Sequence, residues 1–418
     1  MAKPTGLKLK WKNQLCLILV LCLSLTYPLT AMAQVDEENL SKSPNLSLDV
    51  NEMVEYEPLP MPEDYPNDLS KFFDENVDAR SFVVVDGETN RILAERQSNV
   101  PYPIASMSKI MSAYLVLKAI DEGKIDWDTE IEAPAEITDV LSDNLELSSA
   151  FLVAGEKYTV KDLLYGVMMV SGNDATSVLM WHLYGSEQEG TQAIIDQLHQ
   201  WGFMDFKFYT TSGVPNLYLP EDWWMPGSNK TNENTMSAQD IALVAQNIIT
   251  EYPEILEITS EMEYIFKKGT DQEMTFTNSN QLLPGQAHGR DGINGLKSGS
   301  TDAAGKNFVA TGEENGREII AVAMGVFPRE DGVETTSYWD IEILLDGLLE
   351  YPDLYKNEVL PTNTKPTQEQ RQAEMLSEEA SESGDETQDE SQDETNKNTN
   401  QRNNPITNFF GRIFKWFN

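Results

Sequence analysis

The pattern of apolar and polar residues predicts a pair of strands early in the central part of the chain. Residues 81–85 form a valine-rich apolar run, and residues 91–95 alternate between polar and apolar side chains. Asp86, Gly87 and Asn90 lie between these segments, and residues of these types favour a tight turn. The two strands are therefore expected to form an antiparallel hairpin.

Helical and strand patterns alternate in blocks after this hairpin. Helical spacing of apolar residues predicts helices at 106–120, 159–169, 174–184 and 240–249. Later apolar segments predict strands at 292–297, 306–311 and 317–326, and a closing helix at 339–349. This order predicts an α/β domain of the α+β type at 79–351, with helices flanking an antiparallel sheet and a helical insertion.

The first 33 residues have the pattern of a secretory signal peptide. Four lysines precede an apolar segment at 15–25 that is short for a membrane span, and Ala31-Met32-Ala33 has the form of a cleavage site. The alternative is an uncleaved N-terminal anchor. Both cysteines lie inside this segment, so the exported chain is expected to fold without disulfides.

The chain is strongly acidic, and two polar segments flank the predicted domain. It has 69 acidic and 30 basic residues, and its net charge is −39. An acidic, proline-containing extension at 34–78 and an acidic linker at 352–404 have the composition of extended, solvated chain. The excess of acidic over basic residues argues against binding of nucleic acid, because little in the chain would neutralise a polyanion.

The last 14 residues have the spacing of an amphipathic helix. One face carries the apolar residues Ile406, Phe409, Phe410, Ile413, Phe414 and Phe417. We expect the helix at 405–418 to anchor the protein to a membrane surface, because a long polar spacer separates it from the domain. The alternative is a helix docked on the domain. The expected location is the cell envelope, at the outer face of the cytoplasmic membrane.

A serine and a lysine stand at the start of the predicted helix at 106–120. Ser106 and Lys109 are three residues apart, so their side chains share one helix face. A serine needs a nearby base to act as a nucleophile, and a lysine whose pKa is lowered by burial can be that base. The tetrapeptide alone is a weak indication, since a helix start with an exposed lysine has the same sequence.

Two further polar segments strengthen this interpretation. Ser171, Gly172 and Asn173 lie in the short break between two predicted helices, where polar side chains can face a cleft. Residues 297–301 end an apolar strand, and a glycine there permits close approach of a substrate backbone. Each segment alone can be a plain turn, but all three in this order are hard to explain by chance.

The three motifs resemble those of the low-molecular-mass, penicillin-binding D-alanyl-D-alanine carboxypeptidases. The motif set Ser-x-x-Lys, Ser-x-Asn and Lys-Thr-Gly is shared by penicillin-binding proteins and class A β-lactamases. The resemblance covers roughly residues 80–350. It implies a β-lactamase/transpeptidase-like fold, peptidoglycan stem peptides as substrates, β-lactams as covalent inhibitors, and no metal or other cofactor.

The resemblance also implies roles for the motif residues. Ser106 would attack the carbonyl between two terminal D-alanines, Lys109 would accept its proton, and Ser171 would pass a proton to the leaving amine. Backbone amides of Ser106 and Ser300 would form an oxyanion hole. The substrate-binding residues are expected to be Asn173, Lys297, Ser298, Gly299 and Ser300. Asn173 would hold the substrate amide, and Lys297 and Ser298 would face the terminal carboxylate.

The sequence departs from the family pattern at the expected carboxylate partner. Ser298 stands where threonine is usual, which keeps a hydroxyl group. Family members often place an arginine near the closing helix, but our register puts Ser337 there and Arg329 is offset. The residue that would bind the terminal carboxylate therefore stays open.

The remaining conspicuous residues have plainer interpretations. His182 and His199 lie in helical segments and are expected to be structural, whereas His288 could line the cleft. Trp223 and Trp224 form an aromatic loop, which we expect to pack against the domain. The alternative is that this loop forms a lip over the cleft.

Two other functions are compatible with parts of the pattern. A serine β-lactamase would need a water held by a carboxylate, and Glu187, Glu189 and Glu221 lie between the second and third motifs without a recognisable context for it. A non-catalytic, membrane-tethered cell-wall binding protein is the second alternative, although the complete set of motif residues argues against it.

Overall fold

A five-stranded antiparallel sheet forms the centre of the protein. The computed structural model describes residues 59–365. The sheet has the order β2-β1-β11-β10-β9. Its strands are β1 (Ser81–Asp86), β2 (Ile92–Arg96), β9 (Ile293–Thr301), β10 (Gly305–Glu314) and β11 (Arg317–Val326). Short pairs join β3 (Tyr102–Pro103) to β6 (Thr235–Met236), β4 (Glu130–Glu132) to β5 (Lys157–Thr159), and β7 (Glu263–Phe266) to β8 (Met274–Thr277).

Eight helices of six or more residues occur within residues 59–365. They are α1 (Asn67–Asn76), α2 (Lys109–Asp121), α3 (Val160–Met169), α4 (Asn173–Tyr184), α5 (Glu187–Gln200), α6 (Ala238–Glu251), α7 (Ile255–Ser260) and α8 (Ser337–Leu349). A single helical turn at Ala135–Ile137 continues into a wider turn at Thr138–Ser142. The predicted hairpin, helices and late strands are confirmed, and so is the α/β fold class.

Both faces of the sheet are buried, which explains the apolar runs in its strands. Val83 and Val322 pair across β1 and β11 and belong to the larger core, which the helical region covers. Val84 and Ala321 are the next pair, and they belong to a second core beneath α1 and α8. Successive residues of a strand point to opposite faces, so each strand contributes to both cores.

Local capping explains where the helices begin and end. The Thr159 hydroxyl accepts a hydrogen bond from the Asp162 amide at the start of α3, and Ser237 accepts one from Asp240 at the start of α6. Gly185 ends α4 in a left-handed conformation, with φ of 96°. The break between α3, which ends at Met169, and α4, which begins at Asn173, carries the second motif.

The structure differs from the sequence expectation at the N-terminal edge of the domain. Part of the segment expected to be extended forms α1, in which Leu69 and Phe73 are buried. The Phe73 ring packs edge-on against Phe82 of β1, with 5.8 Å between ring centroids. Charges and prolines dominate the composition of this segment, but two apolar residues four apart suffice to seat a helix on an existing core.

The chain that follows α8 also packs against the domain instead of starting a solvated linker. Leu354, Tyr355 and Leu360 are buried, and the Ile92 amide of β2 donates to the Pro361 carbonyl over 2.8 Å. The domain therefore extends beyond the expected boundary at 351. The expected signal peptide (1–33), most of the acidic extension, the linker from 366 onward and the helix at 405–418 lie outside the described residues.

No helix between residues 59 and 365 is both long and apolar enough to cross a membrane.

Candidate active site

Ser106 lies in a strained turn directly before a buried helix. It belongs to a 3₁₀ turn at Ala105–Ser108, and α2 begins at Lys109, three residues later than the sequence pattern suggests. The residue before it, Ala105, has φ of +48°, in the left-handed region that non-glycine residues rarely adopt. The Ser108 hydroxyl stabilises this turn by donating to the Ala105 carbonyl over 2.7 Å. The half-buried Ser106 side chain is thereby held at the mouth of a cleft.

The amino group of Lys109 lies inside the protein next to the Ser106 hydroxyl. Lys109 is fully buried, and its Nζ is 2.9 Å from Ser106 Oγ. The same Nζ donates to Asn173 Oδ1 over 2.7 Å and to the Ser212 carbonyl over 2.8 Å. Three polar atoms therefore fix the amino group, and one of them belongs to the serine.

This arrangement favours a neutral lysine whose lone pair faces the serine. Burial lowers the pKa of Lys109 well below its usual value, the charge of Lys297 lowers it further, and Asp174 and Glu187 act in the opposite direction. A neutral amine has two N–H groups. Asn173 Oδ1 and the Ser212 carbonyl can only accept hydrogen bonds, so these two groups are committed to them. The lone pair is then directed at Ser106 Oγ, where it can accept the hydroxyl proton.

Ser171 and Lys297 form a second hydroxyl–amine pair in the same cleft. Lys297 Nζ donates to Ser171 Oγ over 3.0 Å and to the carbonyl of Ser298 over 3.0 Å. Burial lowers the pKa of Lys297 to about 7. Ser171 has φ of +60°, so its side chain is presented from a strained position at the break between α3 and α4.

Asn173 lies in the site, but both polar atoms of its side chain form hydrogen bonds with other groups of the protein. Its Oδ1 accepts from Lys109, and its Nδ2 donates to the Ser148 carbonyl over 3.0 Å. The side chain is buried, and both of its polar atoms are engaged. The expected contact with a substrate amide stays a prediction, whereas the contact with Lys109 is an additional role that the sequence did not suggest.

Gly299 allows β9 to lie directly against the turn that carries Ser106. A Cβ atom at this position would lie 2.6 Å from the Ile104 carbonyl oxygen and 3.0 Å from the Ser106 and Met107 amide nitrogens. The sequence suggested that this glycine makes room for substrate backbone, but in the structure it makes room for the protein's own turn. The third motif forms the end of β9, which continues to Thr301, as the strand interpretation of this segment requires.

Two cavities meet at Ser106, and their linings differ in charge. The first, of about 280 Å³, contains Ser171, Ser298, Ser300 and Lys306 in its wall. The second, of about 300 Å³, has a wall that includes Glu146, Glu233 and Asp302. Both are lined by Ser106, Ser148 and Ser300. A peptide could therefore lie across the nucleophile with one end in each cavity.

Several buried polar residues that the sequence analysis missed hold the site together. Asp174 accepts hydrogen bonds from Ser142, Ser149 and the Ala150 amide, which fixes the loop that carries Ser148. The position of Asp174 directly after Asn173 was the one indication in the sequence that it belongs to the site.

Asn234 connects the nucleophile turn to the segment that contains Ser212, and Glu187 joins that segment to Ser177 and Trp181 of α4. Asn234 Nδ2 donates to Ser108 Oγ over 2.9 Å and to the Thr210 carbonyl over 2.8 Å. Glu187 is buried and accepts from the Thr211 amide and hydroxyl, so it anchors this segment and does not line either cavity. No local sequence pattern marks Asn234 or predicts these contacts of Glu187.

The remaining candidates differ in where they lie relative to the cleft. Arg329 is exposed and pairs with Asp78 and Asp331, whereas Ser337 lines the first cavity. His288 binds Glu342, with 2.7 Å between Nδ1 and Oε2, and its ring stacks on Tyr338.

The aromatic loop packs against the domain. Trp223 is buried against Trp181, and the Trp224 indole donates to the Asn216 carbonyl over 2.9 Å. This agrees with the packing interpretation and not with a lip. His182 and His199 lie in α4 and α5, as expected.

Sequence comparison identifies proteins that share the region containing this site. Residues 69–328 match the family model of the S11 peptidases, D-alanyl-D-alanine carboxypeptidase. The D-alanyl-D-alanine carboxypeptidase DacF of Bacillus subtilis is 27% identical over 265 residues, which cover 63% of this chain and 61% of that protein. DacA of Haemophilus influenzae is 31% identical over 266 residues, 62% of this chain and 60% of that protein. The chain thus spans less than two thirds of the length of these relatives.

Solved structures with the same fold include penicillin-binding proteins. PBP3 of Streptococcus pneumoniae, described as a peptidoglycan synthesis regulatory factor, is 32% identical with a TM-score of 0.60, and the match covers 66% of this chain and 71% of that chain. Penicillin-binding protein 5 of Haemophilus influenzae is 27% identical with a TM-score of 0.53, covering 66% and 70%. Penicillin-binding protein D2 of Listeria monocytogenes, in its ampicillin-bound form, is 25% identical with a TM-score of 0.52, covering 65% and 97%.

Proposed function

Because this chain belongs to the S11 family of D-alanyl-D-alanine carboxypeptidases, we propose that it removes the terminal D-alanine from peptidoglycan stem pentapeptides. The reaction would pass through an acyl-enzyme on Ser106. One observation carries the proposal: the fully buried Lys109 amino group lies 2.9 Å from Ser106 Oγ, with both N–H groups of its neutral form directed at other acceptors.

Acylation follows from this geometry. Ser106 Oγ attacks the carbonyl carbon of the bond between the two D-alanines, and its proton moves to Lys109 Nζ. The carbonyl oxygen becomes an oxyanion, which the backbone N–H groups of Ser106 and Ser300 stabilise. When the C–N bond breaks, the proton held by Lys109 is relayed to the leaving amine through Ser171, whose hydroxyl contacts Lys297, so that Lys109 is neutral again before deacylation. Free D-alanine departs, and an ester remains on Ser106.

Deacylation returns the enzyme to its starting state. A water molecule attacks the ester carbonyl, its proton is taken up by Lys109, and the Ser106 oxygen leaves and recovers a proton. The products are the shortened stem peptide and the free enzyme.

Binding of β-lactams is part of the same proposal. Ser106 would open the strained lactam amide as it opens the peptide bond. The leaving nitrogen stays attached to the acyl group, so it does not vacate the first cavity as D-alanine does. A long-lived adduct is therefore expected, whereas a β-lactamase would release the drug quickly.

Two measurements test the proposed activity. Labelled penicillin should form a persistent adduct on Ser106, and a peptide ending in D-alanyl-D-alanine should release free D-alanine. Both should disappear in Ser106→Ala. Rapid turnover of penicillin would favour the β-lactamase, and absence of both adduct and D-alanine would favour a non-catalytic binding protein.

We also propose that the protein is exported and held at the outer face of the cytoplasmic membrane by residues 405–418. Support comes from the signal pattern at 1–33 and from the aromatic stripe at the C-terminus, where the last turns also carry Arg412 and Lys415. Deletion of 405–418 should move the protein to the soluble fraction without loss of penicillin labelling. Deletion of 377–394 is the control, since it shortens the spacer and keeps the helix. A truncated protein that stays with membranes would contradict the anchor.

A further inference from the structure

Lys306 places a positive charge beside the nucleophile from a strand next to the third motif. It lies in β10 directly opposite Ser300 of β9, and cross-strand partners project to the same face of a sheet. The lysine is exposed and lines the first cavity together with Ser106 and Ser298. Its Nζ donates to the Thr335 carbonyl over 2.7 Å. This bond uses one of three N–H groups and leaves two for a ligand.

The charge of Lys306 is available to an anion. Among the lining residues of this cavity in the described part of the chain, Lys306 alone has a charged side chain. Within residues 59–365, no carboxylate pairs with it at 4 Å or less. Arg329, in contrast, already pairs with Asp78 and Asp331.

Hydroxyl groups around Lys306 complete a surface suited to a carboxylate. Ser298, Thr336 and Ser337 line the same cavity from two different segments of the chain. A carboxylate prefers a cation assisted by neutral donors, because its two oxygens accept several hydrogen bonds.

The second cavity would repel the same group. Glu146, Glu233 and Asp302 line it on the other side of Ser106. A peptide with a free C-terminus therefore meets opposite charges on the two sides of the nucleophile, and its anionic end is directed toward Lys306.

We propose that Lys306 binds the terminal carboxylate of the substrate and thereby determines both the direction of the peptide and the preference for a free C-terminus. This inference rests on the proposed function, and it assigns the carboxylate partner that the motifs leave open. Ser298 contributes a hydroxyl from the opposite strand. Lys297, which is buried and bonded to Ser171, acts on proton transfer instead.

The test compares two substrates in which only the charge of the C-terminus differs. One is an acylated tripeptide ending in D-alanyl-D-alanine, and the other is its C-terminal amide. In the unmodified protein, kcat/KM should be higher for the acid. Lys306→Ala should lower kcat/KM for the acid by roughly 10- to 100-fold, which is the usual contribution of a hydrogen bond to a charged group. The same substitution should change kcat/KM for the amide by less than about threefold. Lys306→Arg should retain the preference for the acid.

A matched lysine controls for a purely structural effect. Lys267 also donates to a main-chain carbonyl, that of Lys157, over 2.6 Å, and it lines neither cavity at Ser106. Lys267→Ala should leave both substrates unaffected. Equal losses for acid and amide in Lys306→Ala would mean that Lys306 only braces the Thr335 segment, and would overturn the inference.

The outcomes separate this inference from the proposed function. If the unmodified protein releases no D-alanine and binds no penicillin, the proposed function fails whatever Lys306 does. If the unmodified protein is active and Lys306→Ala keeps the same ratio between acid and amide, only the carboxylate inference fails.

Discussion

Gly213 lies so close to Ala105 that a Cβ atom on the glycine would be 2.0 Å from the Ala105 carbonyl oxygen. Ala105 immediately precedes Ser106, and Gly213 immediately follows Ser212, whose carbonyl binds Lys109. The nucleophile turn and the segment that fixes its base are therefore packed without space for a methyl group.

Substitution of Gly213 should disable acylation for this steric reason. Gly213→Ala must displace the turn that carries Ser106, and a shift of about 1 Å at a reacting group can cost 100-fold in rate. We expect penicillin labelling to fall by at least that factor. Gly227 is the matched control, because it has nearly the same φ, +81° against +79°, but no atom beyond its adjacent residues lies within 4 Å of its Cβ position. Gly227→Ala should bear the same backbone strain and keep its labelling; equal losses in both variants would refute the steric explanation.

The pH dependence of acylation should change when the hydrogen-bond partner of Lys109 acquires a negative charge. In Asn173→Asp, a carboxylate replaces the amide oxygen that lies 2.7 Å from Lys109 Nζ. An adjacent negative charge favours the protonated lysine and raises its pKa, so less neutral base is present at a given pH. The acidic limb of the labelling rate should move to higher pH by roughly one to three units.

A second buried asparagine controls for the effect of introducing a charge. Asn363 is buried, and its Nδ2 donates to the Gln239 carbonyl over 2.9 Å, outside the contacts of Lys109. Asn363→Asp should leave the acidic limb where it is. Stopped-flow or quenched labelling across pH 5–10 measures both variants, and an unshifted limb in Asn173→Asp would contradict the assignment of Lys109 as the base.

The sequence alone predicts those parts of the structure that depend on contacts between residues close together in the chain. Thr159 and Asp162 are three residues apart, and their capping contact fixes the start of α3, the helix that precedes Ser171. Ser106 and Lys109 are likewise neighbours, so their pairing follows from spacing alone. Apolar runs and turn residues similarly predict β9, β10 and β11, because strands buried on both faces need few polar residues.

Contacts between distant parts of the chain could not be predicted in this way. The Ser212 carbonyl is 103 residues from Lys109, and no periodicity identifies a backbone oxygen as its partner. No local pattern in the sequence marks Lys306, and only the pairing of β10 with β9 brings it opposite Ser300. Helix α1 was missed because its charges outnumber the two apolar residues that seat it.

The contribution of α1 to the domain can be measured with two adjacent phenylalanines. Phe73 is 2% exposed and packs on Phe82, whereas Phe72 is 38% exposed. Phe73→Ala removes a buried ring and should lower the free energy of unfolding by about 3–5 kcal/mol, while Phe72→Ala should cost much less. Denaturant or thermal unfolding of both variants provides the comparison. Similar small losses would indicate that α1 adds little to the stability of the domain.

Asp340 should make the domain less stable as the pH rises from about 4 to above 6. Burial raises the pKa of this carboxyl group to about 6, although it accepts hydrogen bonds from the Asp78 and Ala79 amides. The unfolded chain has the usual value near 3.9, so the folded state binds more protons between these pH values. The stabilising contribution is complete below the unfolded pKa and is lost as the pH passes through the folded pKa. A shift of roughly two units corresponds to about 3 kcal/mol. Asp340→Asn cannot titrate, so unfolding measured at pH 4–8 should lack this part of the decline. A decline of unchanged size in the variant would assign the pH dependence to other carboxyl groups.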